Sequence, residues 1–259
     1  MKLKFALVLL VGVAFIYSAC KKSSSNPQGP ALSPQAVSSQ VALNITQTLF
    51  GGLGAFNASQ GLNAPNNLGV VHHNKIGLND VNADPLCGVI ADTTLNYSVT
   101  LDTAQASIKG NVKFAFTCAG GILSGFNVTE NLQIAESSPN ASISYGLGED
   151  LTLLSTDPTL EESTFSLNGT LNETVGIQYK TGSKQTNNDS FDYVFKSLII
   201  SPNSGDVASG TATFTTKGSG ASGTWNYTGS ITFLPNDLLK IVINGITYTI
   251  DRQTGKVVS

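Results

Sequence analysis

The chain has 259 residues, and its 14 Lys and Arg against 17 Asp and Glu give a formal net charge of −3. A surface that binds nucleic acid needs an excess of Lys and Arg, so the composition excludes a nucleic-acid partner of the usual kind. Charged residues make up only 12% of the sequence, which excludes a coiled coil or helical bundle, and 41% apolar residues exclude a disordered chain.

The N-terminus has the parts of a secretory signal peptide. Met1–Lys4 carries two Lys and no acid, and Phe5–Tyr17 is an unbroken run of 13 apolar or small residues. A helix of that length reaches about 20 Å, which is shorter than the roughly 30 Å hydrocarbon core of a bilayer. The run is therefore too short for a transmembrane helix and has the length of the apolar region of a signal peptide.

The segment Tyr17–Cys20, with the sequence Tyr-Ser-Ala-Cys, resembles the lipobox of bacterial lipoproteins, although this family prefers Leu at the position of Tyr17. The resemblance implies that residues 1–19 are removed and that Cys20 becomes the first mature residue and carries acyl chains such as palmitate. It also implies, from Lys21 in place of an Asp, that the protein is sorted to the outer membrane. The domain would then face either the periplasm or the cell surface.

Two features follow the lipobox. Residues 20–32 are polar and rich in Ser, Pro and Gly, so they are predicted to form a flexible tether. A single globular domain is predicted from 33 to 259, beginning with a helix over 33–56, because Ser33 suits an N-cap and Pro34 suits the first helical turn. Apolar residues then recur at every fourth position, which predicts one amphipathic helix before a Gly-rich end: Val37, Val41, Ile45, Leu49 and Leu53.

The rest of the domain is predicted to be antiparallel β-structure. Residues 57–87 are rich in Asn, Gly and Pro and are predicted to be an irregular connection, whereas over 88–259 apolar residues alternate with Ser, Thr and Asn. Such alternation indicates sheets with one buried face, and Asn244-Gly245 between two apolar runs predicts a hairpin turn. We therefore expect a mainly β fold: an antiparallel meander of about ten strands with one N-terminal amphipathic helix.

The arrangement of that meander has three alternatives. It is predicted to be a curved open sheet, a barrel wrapped against the helix, or a β-sandwich. The open half-barrel resembles, in its number of elements, the lipoprotein carriers and their outer-membrane acceptors, an analogy of fold that does not itself assign a function.

Cys87 and Cys118 are an even pair in a chain that is predicted to be exported. An oxidising compartment favours a disulfide bond between them, with two separate buried thiols as the alternative.

Two histidines and two aspartates are the candidates for a metal site. His72 and His73 are the only histidines, and Asp80 and Asp84 follow them. Their spacing matches no known metal-binding cluster, so they are weak candidates and no metal is predicted. The chain also lacks the sequence motifs of serine hydrolases, zinc proteases and nucleotide-binding loops.

Glu130 and Glu173 are the candidates for acid–base chemistry. If period two is kept through the apolar residues on either side, both carboxylates fall on the buried face of the sheet. A buried carboxylate costs several kcal/mol unless it is paired, protonated or wet. Two of them in one cavity would suit acid–base catalysis, whereas a shifted register would bring them to solvent.

These observations favour a protein that is not an enzyme, needs no cofactor and serves as a binding or structural module of the cell envelope. Its membrane partner is reached through the lipid on Cys20. The sequence does not identify its ligand, for which a lipid or another small hydrophobic molecule is one candidate and a glycan is another. Two alternatives stay open. One is a carbohydrate-binding lipoprotein, in which Trp225 and Tyr227 are the aromatic candidates although Trp225 falls on the apolar face. The other is a hydrolase that uses Glu130 and Glu173.

Overall fold

The computed structural model describes residues 29–51, 53–62, 70–73, 84–160, 162–182, 184–201, 205–221 and 223–259. The predicted signal peptide 1–19, the predicted lipidation site Cys20 and most of the predicted tether lie outside the described residues.

All eleven strands form one antiparallel sheet in which each strand pairs with its neighbours in sequence. This order confirms the predicted meander and its mainly β class. Within the described residues the first strand pairs with the second alone and the last with the tenth alone, so the sheet is open rather than a barrel or a sandwich. The strands are β1 Val70–His73, β2 Val89–Leu101, β3 Ala104–Ala119, β4 Ile122–Ser137, β5 Ala141–Ser155, β6 Phe165–Tyr179, β7 Thr186–Ile200, β8 Val207–Ser219, β9 Trp225–Leu234, β10 Leu238–Ile243 and β11 Ile246–Asp251.

The N-terminal helix begins where the sequence places it. Helix α1 spans Pro34–Ile45, and the Ser33 side chain accepts a hydrogen bond from the Ala36 backbone N–H at 3.2 Å. A π-helical turn, Thr46–Phe50, continues the helix. All five apolar residues that the four-residue period identifies are buried, and the last of them, Leu53, lies beyond the turn. The helical stretch ends at Phe50, before the Gly-rich segment, and so is shorter than the 33–56 expected from the four-residue period.

The segment predicted as irregular, 57–87, contains regular structure. A 3₁₀ turn covers Ala58–Gln60, and β1 pairs antiparallel with β2, with Val70 opposite Asp92. A four-residue strand gives too short a stretch of alternation to be recognised from sequence.

The helical segment lies against the buried face of the sheet, and the sheet curls around it. The Thr46 Oγ1 atom lies 2.9 Å from the carbonyl oxygen of Arg252, just past β11, while the Thr48 Oγ1 atom lies 2.7 Å from Glu173 on β6. In a flat sheet these strands would be about 24 Å apart, at about 4.8 Å per strand spacing. A helix with its side chains is only about 10–12 Å across, so the sheet must bend around it. We call residues 34–51 and 53–62 the plug.

The far end of the plug closes on an aromatic cluster. Phe56 packs edge to face on Phe126 of β4, with ring centroids 6.1 Å apart, and Phe126 contacts both Phe114 and Phe116 of β3. All four rings are buried. Both the helical residues of the plug and its aromatic residue Phe56 are therefore part of the hydrophobic core.

The predicted disulfide between Cys87 and Cys118 is confirmed. Their Cα atoms are 5.5 Å apart and the bond closes a loop with a sequence separation of 31, joining the turn before β2 to the end of β3.

Removing this disulfide is expected to destabilise the fold, because the unfolded chain regains the entropy of an open loop. The loss for the Cys87→Ser/Cys118→Ser variant is expected to be about 3–4 kcal/mol, measured as the free energy of unfolding in urea. Dithiothreitol should lower the stability of the wild type by a similar amount and leave that of the variant unchanged. A variant as stable as the wild type would contradict this expectation.

Candidate functional site

Three glutamates lie on the buried face of three adjacent central strands. Glu130 on β4 pairs directly with Glu149 on β5. Glu173 on β6 pairs with Leu147, which lies two residues before Glu149 on the same buried face of β5. The exposed fractions of Glu130, Glu149 and Glu173 are only 2%, 3% and 2% in that order. The structure therefore places Glu130 and Glu173 on the face that period two indicates, and it brings a third carboxyl between them.

Glu149 was missed by the sequence analysis, although the signal is present. Tyr145, Leu147, Leu151 and Leu153 alternate on the buried face, and the same count includes Glu149. Asp150 follows Glu149, and two adjacent acidic residues are typical of a solvent-exposed stretch. Only alternation that is followed from Leu147 to Leu151 places Glu149 on the buried face.

Glu130 binds the backbone of the plug. The Ala55 N–H points at both carboxyl oxygens, at 2.9 and 3.1 Å, and the Phe56 backbone N–H also donates to this carboxyl. Burial raises the pKa of Glu130 to about 7, against the lowering effect of these hydrogen bonds. The Glu130 carboxyl therefore satisfies backbone N–H groups of the plug just beyond the end of its helical stretch.

Glu173 binds the side chains of the plug. The Thr48 hydroxyl donates to its Oε2 atom at 2.7 Å, and the Asn44 side chain is a further hydrogen-bond partner. Burial raises the pKa of Glu173 to about 7, because these hydrogen bonds offset only part of the lost hydration. Next to it, the Tyr193 hydroxyl donates to the Asn44 side chain at 2.8 Å.

Glu149 lies between the other two glutamates, and its surroundings favour its protonated form. Burial first, and then the Glu130 carboxyl opposite it, raise its pKa well above the ordinary value. No donor in the described chain reaches either oxygen of Glu149, and the residue directly opposite it is Glu130. Glu130 is therefore the acceptor that a protonated Glu149 has across the strand pair.

No cation in the plug compensates these carboxyls. Residues 23–71 contain no Asp, Glu, Lys, Arg or His, so the plug cannot supply a salt bridge. The nearby Arg252 is already in an ion pair with Asp237 and lies over the Phe50 ring, 4.2 Å from its centroid. The three glutamates therefore face an uncharged segment, which favours their neutral forms.

The four weak candidates for metal ligands are not brought together by anything that the structure describes. His72 and His73 lie in β1 opposite Ile90 and Val89, and the Asp84 carboxylate accepts a hydrogen bond from the Leu86 N–H at 2.8 Å. Asp80 lies outside the described residues. Over the described part of the chain, no three His, Cys, Asp or Glu side chains are arranged to hold a metal ion.

Trp225 is a buried core residue, as its position on the apolar face of its strand indicates. Its exposed fraction is 7%, and its Nε1–H donates to the Thr216 hydroxyl at 3.0 Å. The indole is therefore fixed inside the sheet by packing and by a hydrogen bond, which leaves its ring face covered.

The plug fits tightly on the sheet. The cleft beside its last turn, between Phe56 and Gly61 of the plug and Phe114 and Phe126 of the sheet, has no room for a water molecule. At this cleft, a molecule that bound the buried face would have to displace the last turn of the plug.

Comparison with known proteins gave no family model, no curated protein and no solved structure that matches this chain. Within the described residues, no helix combines the length and the apolar character that crossing a bilayer requires.

Proposed function

We propose that this chain is an envelope lipoprotein that binds an apolar molecule, such as a lipid acyl chain. Acyl chains on Cys20 would hold it at the outer membrane, and the buried face of its curled sheet would bind the ligand in place of the plug. The observation that carries this proposal is that an open sheet has its apolar face covered by a separate N-terminal segment, the plug.

The contacts of the plug support the proposal. It belongs to no strand of the sheet. Beyond its packing it is held there by polar contacts with Glu130, Glu173, Tyr193 and the Arg252 carbonyl oxygen. The buried face of the sheet is lined with apolar side chains from ten strands, β2 to β11. Apolar burial is non-directional, so an acyl chain can replace the apolar contacts of the plug on this face.

The position of the tether also supports the proposal. Gly29 donates to the Gly220 carbonyl oxygen at 2.7 Å, and Leu32 donates to that of Thr224 at 2.9 Å, so the tether joins the sheet at the β8–β9 turn. Nine residues separate Cys20 from Gly29, and they span at most about 30 Å when extended. An anchored domain would therefore stay within reach of membrane lipid.

The two alternatives receive less support from the structure. A hydrolase that uses Glu130 and Glu173 needs both carboxyls open to a substrate, whereas here each is occupied by a hydrogen bond from the plug. A carbohydrate site needs an open aromatic face, whereas Trp225 is buried. Lipid binding, by contrast, needs only the apolar face of the sheet, which the plug covers in this structure.

Acylation at Cys20 is tested by labelling. With radioactive palmitate in the native host, we expect the full chain to take up label and to sediment with membranes. Cys20→Ser should abolish the label and release the protein, because a single cysteine carries the acyl chains. Cys87→Ser/Cys118→Ser is the matched control and should keep the label. Equal labelling of the Cys20→Ser variant would overturn the anchoring proposal.

The bound ligand is tested by mass spectrometry. The full acylated chain is extracted from its own membranes in mild detergent at pH 8 and weighed under native conditions. We expect a fraction of the molecules to carry one additional non-covalent lipid. A spectrum with the mass of the acylated chain alone would contradict ligand binding.

A further inference from the structure

We propose that Glu130, Glu149 and Glu173 form a proton-controlled latch for the plug: neutral carboxyls keep the plug docked, and their ionisation releases it. This inference rests on the proposed function, because it describes the regulation of the same ligand face. Its own test follows the plug and needs no ligand.

The latch connects to the plug at two separate points. Glu130 accepts from the Ala55 backbone N–H in the last part of the plug, and Glu173 accepts from the Thr48 hydroxyl in its π-helical turn. Glu149 lies between them, directly opposite Glu130. The three carboxyls therefore meet the plug at two contacts that are seven residues apart in sequence, and each buried contact has to accommodate a charge when its carboxyl ionises.

Ionisation of the three carboxyls is not compensated by any group that faces them. In the described part of the chain, the titratable side chains around them are Tyr145 on β5 and Asp189 and Tyr193 on β7. The plug has no charged residue, and Arg252 at its helical end is paired with Asp237. Directly opposed side chains in an antiparallel pair have Cβ atoms about 4.5–5.5 Å apart, so Glu130 and Glu149 would repel each other strongly as carboxylates.

The plug is the element that moves most easily in response. Each of β4, β5 and β6 is hydrogen-bonded along its length to two neighbouring strands, whereas the plug is attached by side-chain contacts, by packing and by its two ends. Local opening takes the element with the fewest constraints first. Release of the plug hydrates all three carboxylates and leaves the sheet paired.

The pH range follows from the direction of the pKa shifts. The pKa values of Glu130 and Glu173 are raised to about 7 in the closed state, from an ordinary value of 4.5. Below the ordinary value the carboxyls are neutral in both states, and closure is at its most stable. As the pH rises toward 7, only the open state loses its protons, so closure weakens by about tenfold per group per pH unit. Burial also raises the pKa of Glu149 well above its ordinary value, so this group acts in the same direction.

The test is hydrogen–deuterium exchange of the full chain between pH 5 and pH 8, with rates corrected for the intrinsic effect of pH. We expect protection of the plug amides to fall at least tenfold over this range, while protection within β5 and β6 changes much less. The Glu130→Gln/Glu149→Gln/Glu173→Gln variant should keep a protected plug at every pH. Asp150→Asn, on the exposed side of β5 next to Glu149, is the matched control and should behave as the wild type does.

Two outcomes would overturn the latch. One is plug protection that does not change with pH in the wild type, and the other is an equal fall in the triple variant. If the triple variant does not fold, Glu149→Gln alone should reduce the slope, and an unchanged slope would equally reject the latch. A pH-dependent plug in a chain that binds no lipid would support the latch and reject the ligand, so the two failures are distinguishable.

Discussion

The free energy of unfolding is expected to fall as the pH rises from 5 to 8. Glu130 and Glu173 have pKa values of about 7 in the fold against 4.5 ordinarily, so between these values the folded chain holds protons that the unfolded chain has lost. Each of the two groups then contributes a loss of about 3 kcal/mol, at about 1.4 kcal/mol per pKa unit. This stability is fully present below pH 4.5 and is lost as the pH passes 7. Urea unfolding followed by Trp225 fluorescence measures it.

Glutamine at the three positions separates this effect from the general charge of the protein. An amide keeps the shape and the hydrogen-bonding ability of a neutral carboxyl but does not ionise. At pH 8 the triple variant is therefore expected to be more stable than the wild type, and its stability should change little between pH 5 and pH 8. A wild type whose stability is flat or increases over this range would show that the three carboxyls do not lose their protons inside the fold.

Phe56→Ala is expected to lower the free energy of unfolding by about 3–5 kcal/mol, the usual cost of deleting a buried aromatic ring. Phe56 is the plug residue that packs into the aromatic cluster, against Phe126. Its removal should also loosen the plug, which exchange of the plug amides measures at pH 5, where the latch is closed.

Phe116→Ala is the matched control for this prediction. Phe116 is a buried member of the same aromatic cluster, where it contacts Phe114 and Phe126, but it belongs to β3. We expect a similar loss of stability, with much less loss of protection in the plug. Equal loosening of the plug in both variants would mean that the cluster, and not the contact of Phe56, holds it.

Much of the fold could be predicted because its determinants are local. Ser33 and Pro34 specify the start of α1, and alternation identifies the long strands. At Asn244 and Gly245 the φ angles are 53° and 77°, as a two-residue hairpin turn requires, and Ile243 pairs with Ile246 across it. By contrast, the apolar period continues to Leu53, past the glycines at which the helix ends, and β1 is too short for alternation to show.

The candidate site was predictable only in part. Period two places Glu130 and Glu173 on the buried face, and a longer count through β5 would have added Glu149. What these carboxyls bind could not be predicted, since Ala55 is 75 residues from Glu130 and Thr48 is 125 residues from Glu173. Neither contact leaves a pattern in the sequence, because the plug carries no charge that would indicate an ionic partner.

Site-specific photo-crosslinking tests most directly whether an apolar molecule takes the place of the plug. Phe191, opposite Glu173 on the buried face of β7, is replaced by p-benzoylphenylalanine, and Val194, 42% exposed on the same strand, provides the control. After irradiation in native membranes at pH 8, we expect a lipid-sized increase in mass at position 191 and none at 194. Crosslinks from 191 to the chain's own plug alone, or equal lipid labelling at both positions, would contradict a ligand site on this face.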